Sequence, residues 1–333
     1  MRTSEKAATI YDIAKLAGVN PSTVSRALST PGRIIEATEA KVHAAAKQLN
    51  YRVNPFARAL PTGKTKMIAL MVADITNPVF FKIVSGAEVM AAEFGYTLVV
   101  AESQESSSRE AHKLQRILPM VDGVIFATTR LADDEIHNVN GEKPVVLINR
   151  LVDNIADVVP HNEPGIREAA AHLASLGHKN IAYLGGPAAS WINAERLNIL
   201  TKSAIALGLT VTDLGSNVPT LTTGKDSLKA VVDSGVTAVV AFNDLMAIGL
   251  LRAATVAGIN VPSQLSIIGF DNIFGSDFTS PPLTTIEMPL EQIGGNAVRA
   301  LLQTFESENA DVPHGSELST SLLVRGSTAK ASK

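Results

Sequence analysis

Apolar residues change their spacing part-way along this chain. Over residues 9–50 they recur at helical intervals. Ile10, Ile13, Ala14 and Ala17 form one set, broken at Gly18. Val24, Ala27 and Leu28 form a second. Val42, Ala45, Ala46 and Leu49 form a third, beyond a loop at Pro31 and Gly32. Three short helices are predicted, the third over about 36–49. Asn20 suits the N-cap of the second helix, and Pro21 suits its first position, where a missing N–H would be unpaired anyway. From Met67 onward, short apolar runs alternate with amphipathic stretches. The runs are 67–73, 97–101, 123–127, 145–149, 181–185, 238–242 and 266–270; the stretches between them include 80–94, 165–176, 194–207 and 245–257. That alternation predicts parallel sheets covered by helices on both faces. About 260 residues is large for one open sheet, so two similar lobes are expected. Residues 54–66, NPFARALPTGKTK, lie between the two textures. Asn54 can cap and Pro55 can start a helix there, and Pro61 stops it. A helix this short is marginal in water and forms only when something holds it.

Composition narrows the function classes. Hydrophobic residues make up 46% of the chain, enough for a sizeable core. Cysteine is absent, which excludes a disulfide framework and thiolate metal sites and suits a reducing compartment. The N-terminal residues carry no long apolar run, and no eighteen consecutive apolar residues occur anywhere, so neither a signal peptide nor a membrane span is expected. The expected location is the cytoplasm. Net charge is -3, but its distribution is uneven: residues 1–66 hold eleven Lys and Arg against four Asp and Glu, a net +7, which leaves -10 for the rest. A basic head on an acidic body is the charge layout of a modular DNA-binding protein, because phosphates attract the one and repel the other.

The head fits a helix-turn-helix for physical reasons. Ala14 is small where two helices would cross, Gly18 allows the tight turn, and Ile13, Val19 and Val24 can bury between them. The second helix then offers Pro21, Ser22, Ser25 and Arg26 to a major groove. Arg26 is the strongest base reader, since a guanidinium bonds guanine O6 and N7 together. Thr23, Ser25 and Tyr11 can donate to phosphates.

The segment ATIYDIAKLAGVNPSTVSRAL followed by LNYRVNPFARAL resembles the LacI/GalR family of bacterial repressors. The resemblance continues through DITNPVFF, VDGVIFATT, VVLINR, HLASLGHKNIAYLGGP, FNDLMAIGLL, IIGFDN, PPLTTI and VRGST, and so covers nearly the whole length. It implies a homodimer that reads a near-palindromic double-stranded operator. It also implies a core like that of periplasmic sugar-binding proteins, with a ligand in the cleft between two lobes. The family's base-reading positions fall at Pro21, Ser22 and Arg26; Pro21 has no donor and Ser22 is short, so discrimination rests more on Arg26. Tyr51, Asn54, Ala57 and Leu60 complete the implied DNA-binding set. Leu60 matches the hinge leucine that wedges into the minor groove. Pro61, directly after it, departs from the family pattern.

Catalytic readings fail on the residues. No G-x-S-x-G elbow occurs, no G-x-G-x-x-G follows a strand, and the glycine that a P-loop ending at 63–65 requires is Arg58. None of the seven histidines forms a metal-spaced pair with carboxylates, and His172 and His178 read as structural. No enzyme, metal or cofactor is expected. Polar residues do sit at the strand ends: Asp74, Thr128, Asn149 with Arg150, Asn243 with Asp244, and Asp271. Amides, carboxylates and a guanidinium converging there suit vicinal hydroxyls, each of which donates and accepts. The resemblance places effector contacts at Phe80, Phe81, Asn149, Arg196, Asn243 and Asp271; Thr128, Arg150 and Trp191 join them as candidates. His161 stands where relatives commonly carry Asp. The expected effector is a sugar, polyol or derivative, and the expected function is a repressor of carbohydrate or polyol genes, with corepressor or activating action as variants. A periplasmic-type binding protein accounts for the core alone.

The resulting plan is an all-α helix-turn-helix headpiece over 1–53, a hinge over 54–66, and an α/β core of two Rossmann-like lobes over 67–333. The N-terminal lobe takes about 67–160 and 287–317, and the C-terminal lobe about 161–286 and 318–328.

Overall fold

The computed structural model describes residues 8–29, 33–51, 63–305 and 317–332. The hinge expectations at Asn54, Ala57 and Leu60 fall outside these. Chain contacts divide the protein into two units, Met1–Lys66 and Met67–Lys333.

The first unit holds helices α1 (Ile10–Ala17), α2 (Pro21–Ser29) and α3 (Glu36–Gln48). Thr9 and Asp12 close a reciprocal capping box at the start of α1, and Gly18 ends that helix at φ 66°, a left-handed cap that glycine adopts without steric cost. Ile13, Ala14, Val24, Ala27, Val42, Ala45 and Ala46 are the buried centre of the bundle, with Val19 and Tyr51 packed against it.

The second unit contains two sheets. The first runs β2-β1-β3-β4-β5, all parallel, from β1 (Met67–Val72), β2 (Thr97–Glu102), β3 (Gly123–Ala127), β4 (Val145–Ile148) and β5 (Ala156–Val158). Its helices are α4 (Val79–Glu93), α5 (Ser107–Ile117) and α6 (Asp133–Glu142). The second sheet runs β11-β10-β9-β8-β6-β7, from β6 (Asn180–Leu184), β7 (Thr210–Asp213), β8 (Ala238–Ala241), β9 (Ser266–Asp271), β10 (Thr284–Glu287) and β11 (Ser321–Leu323). Helices α7 (Glu163–Ser175), α8 (Trp191–Ala206), α9 (Leu221–Asp226), α10 (Leu228–Asp233) and α11 (Asp244–Val256) connect these strands. Six of the predicted runs became strands buried at every or nearly every position, as parallel strands sandwiched by helices must be; β2 is an edge strand and only half-buried. The second sheet departs from the all-parallel expectation, because β11 pairs antiparallel with β10 at its edge.

The last long helix, α12 (Leu290–Thr304), packs on α4 and so returns to the first sheet. Gly86 and Gly294 make this contact close: a Cβ on Gly86 would lie 1.9 Å from the Glu291 carbonyl oxygen, and one on Gly294 would lie 2.0 Å from that of Ile83. The chain therefore passes between the lobes near Pro160, again at Met288, and again near Leu318. The first and third passages lie side by side, joined by a bridge between His161 and Ser319 and by the His161 N–H to Leu318 carbonyl bond of 2.8 Å.

The tail continues to residue 332 without a helix. His172 meets the Thr328 hydroxyl at 2.9 Å, His178 meets the Ala329 carbonyl at 3.1 Å, and the Ala331 N–H donates to Leu176 at 2.9 Å. Both histidines thus anchor the chain end, and burial pushes the pKa of each below its ordinary value. The segment docked on this lobe runs a few residues past the expected limit of 328.

Candidate functional site

On the head, α2 turns Val24 and Ala27 inward and leaves Ser22, Ser25 and Arg26 exposed. Pro21 and Thr23 are half-buried beside them, and Tyr11 is 69% exposed on α1. This surface has the inventory the groove-reading assignment needs: one guanidinium and several hydroxyls on or beside a helix whose other face is core.

In the core, the carboxyl ends of the strands carry residues in a backbone region that side chains other than glycine rarely adopt. Thr128 after β3 has φ 66°, Asn149 after β4 has 58°, and Asp271 and Asn272 at the end of β9 have 100° and 53°. For β-branched Thr128 and for Asp271 this conformation is strained, and such strain concentrates at functional sites.

Arg196 is the centre of the polar arrangement. It lies in the second turn of α8 and is 3% exposed. Its Nη1 donates to the Phe242 carbonyl at 2.7 Å, and its Nη2 pairs with Asp271 Oδ1 at 3.2 Å. The guanidinium carbon sits 3.5 Å from the centre of the Phe270 ring and 5.0 Å from that of Phe242, within cation–π range of both. Burial raises the Asp271 carboxyl to about 6, against the opposing pull of Arg196. Four buried polar atoms have no partner among the described residues: Arg196 Nε, Ser190 Oγ, Asn149 Oδ1 and Asn162 Oδ1. Buried polar atoms are normally satisfied, so each of these is open to a hydrogen bond with water or a ligand.

The other expected contacts divide. Phe81 is 53% exposed, whereas Phe80 is 4% exposed and packs in the core from the first turn of α4. Asn243 caps α11 by accepting from the Met246 N–H at 3.0 Å, and its amide nitrogen donates to the Pro219 carbonyl at 3.3 Å. Arg150 is engaged with the Leu131 carbonyl at 2.6 Å and with Asp133, and the Thr128 hydroxyl donates to its neighbour's carbonyl. Asp244 is fully buried, accepts from Ile273 N–H and the Thr285 hydroxyl, and is pushed up to about 8 by burial and then by the charge of Asp271. A cavity of about 940 Å3 opens between residues 151–163 and α8; Trp191 lines it with Asp157, His161, Asn162, Glu195 and others, and Arg196 does not. Among the described residues no cluster of His, Asp and Glu could hold a metal, and no helix is long and apolar enough to cross a membrane.

Comparison with known proteins finds the model of bacterial regulatory proteins of the lacI family at residues 9–54 and that of a periplasmic binding protein-like domain at 170–328. The HTH-type transcriptional repressor CytR of Escherichia coli is 32% identical, with 98% of each chain covered. The chain belongs to the LacI family. It is a DNA-binding transcriptional regulator rather than an enzyme. The solved Lac repressor dimer bound to operator and the anti-inducer ONPF matches this LacI-family chain with a TM-score of 0.86 at 27% identity, covering 97% of this chain and 100% of that one. A LacI-family regulator from Enterococcus faecium with bound ribose matches with a TM-score of 0.71 at 26% identity, covering 80% of this chain and all of that one.

Sequence reasoning did not single out Phe242, Phe270, Ser190 or Asn162. Phe270 had a signal, since it precedes Asp271 in IIGFDN, and Ser190 reads as a helix start before Trp191. Nothing local marks Asn162 as a lining of the cavity or the ring of Phe242 as a cover for Arg196.

Proposed function

We propose that this regulator represses genes of carbohydrate or polyol metabolism, and that a small effector in the inter-lobe cleft controls its hold on a near-palindromic operator. The carrying observation is the buried Arg196–Asp271 pair, braced by two aromatic rings, with the Nε of Arg196 left without a partner among the described residues. A hydroxylated ligand supplies donors and acceptors at matching positions, and charge-assisted bonds to Asp271 and Arg196 would fix its orientation. Asn149, Phe81 and Trp191 complete the proposed site. On the DNA side, Arg26 is the principal base reader with Pro21 and Ser22, and Tyr11, Thr23 and Ser25 hold phosphates. Two copies act together, paired through their cores; the matched Lac repressor is a dimer bound to operator. The boundaries proposed are a head over 1–53, a hinge over 54–66 and a core over 67–333, and the cytoplasm is the compartment in which such a regulator meets its operator. The test is a thermal-shift panel of sugars, polyols, sugar phosphates, nucleosides and purines, each retested for its effect on operator binding. A sugar or polyol that raises the melting temperature and weakens operator binding supports the reading; a panel that shifts neither overturns it.

A further inference from the structure

The turn after β9 is held more firmly than a ligand contact requires. Asp271 and Asn272 both have positive φ, and bonds from three neighbouring elements hold the turn they begin. Asp244, at the start of α11, accepts from the Ile273 N–H at 2.8 Å and from the Thr285 hydroxyl at 2.6 Å. Arg325, on the tail, donates to Asn272 Oδ1 at 2.8 Å, to the Ser276 hydroxyl at 3.1 Å and to the Leu283 carbonyl at 2.9 Å. The Asn272 amide nitrogen in turn donates to Glu287 Oε1 at 2.8 Å. Glu287 is the last residue of β10 and stands in register with Asp271 across the parallel pair. The next residue, Met288, leads out of this sheet to α12, which packs on the other lobe. Its sulfur lies 3.3 Å from Arg196 Nη2, the same nitrogen that pairs with Asp271. Both members of the buried ion pair are therefore connected to one inter-lobe passage, Arg196 through Met288 and Asp271 through Asn272 and Glu287.

We propose that Glu287 is a positioning residue that, through Asn272, carries effector occupancy at Asp271 to the passage between the lobes. This rests on the reading of the cleft as the effector site. A ligand that draws on the Asp271 carboxylate shifts the turn. The Asn272–Glu287 bond passes that shift to the end of β10, from which the chain crosses to the other lobe. Glu287 touches neither effector nor DNA; it sets how strongly one affects the other, which is a coupling free energy and not an affinity. Its side chain is exposed, so truncation leaves no buried unpaired group.

The experiment measures operator affinity of the full-length protein with and without saturating probe, for wild type, Glu287→Ala and Glu287→Gln. D-ribose is the first probe; if wild type ignores it, the panel compound with the largest melting shift takes its place. Glu287→Ala is expected to bind operator alone, and probe alone, within about twofold of wild type, while the ratio of operator affinities with and without probe shrinks about threefold or more. Glu287→Gln keeps a carbonyl that accepts from Asn272 and restores the ratio. A wild-type ratio in Glu287→Ala, a Glu287→Gln as impaired as Glu287→Ala, or a probe affinity that falls in step with the ratio each overturns the inference while leaving the effector site intact. A wild type that responds to no compound in the panel overturns the effector reading, and this inference falls with it.

Discussion

Arg196 shows how a buried guanidinium is accommodated. One nitrogen meets a main-chain carbonyl, another meets Asp271, and two aromatic rings cover the guanidinium. Asp271 is buried as well, and that burial lifts its carboxyl to about 6 against the opposing pull of Arg196. A ligand hydroxyl bonds the ionised form, so effector affinity should be steady above pH 7 and fall as pH drops through about 6, approaching tenfold per unit below that point. Isothermal titration from pH 8 to pH 5 reads this directly; an affinity flat over that range removes Asp271 from the site. On the head, Arg26→Ala should lose about 1–3 kcal/mol of discrimination at one base pair in each half-site, with non-specific binding little changed. Competition against single-base operator variants measures it, and a variant with wild-type preference at every position would refute the assignment.

Glycine governs two helix pairs, one in each lobe. Gly86 and Gly294 let α4 and α12 touch, and Gly224 and Gly249 do the same for α9 and α11, where an added Cβ would lie 2.1 Å from the carbonyl oxygen of Met246 or Leu221. The neighbour in each case is main chain, which cannot move aside alone. Gly294→Ala should therefore cost at least about 2 kcal/mol in urea unfolding despite alanine's better helix propensity; an unchanged or raised midpoint contradicts the packing. The elements themselves were unequally legible in the sequence. Most of the central strands announce themselves because parallel strands buried on both faces must be unbroken apolar runs. β5, β10 and β11 are three or four residues long, and their places are set by neighbours far away in sequence, so no local period marks them. The site divides the same way. Strand-end polar residues could be read as a set, but only the fold reveals that Asn243 is occupied as a cap, that Arg150 is held by Asp133, and that Phe80 faces the core. Thr9 and Asp12, by contrast, spell a capping signal that was there to be read.

At the scale of the molecule, two units of opposite charge must act on each other. A basic head supplies affinity for phosphates, and the acidic core supplies control. The tail of the core is fastened to its own lobe by His172, His178 and Arg325, and residues 324–332 form no helix. Light scattering at micromolar concentration should find paired copies; a stable monomer would contradict that expectation. Control needs only that the effector prefer one arrangement of the lobes over the other, with a coupling of about 1–3 kcal/mol. The most direct measurement titrates effector against labelled operator for wild type and for Asp271→Ala, with Asp271→Asn beside it because alanine leaves a buried guanidinium without its partner. Wild type should release operator as effector rises, by about five- to 150-fold in affinity, while both variants hold operator and ignore effector. Variants that release operator as wild type does, or a wild type whose grip no effector changes, would contradict the account.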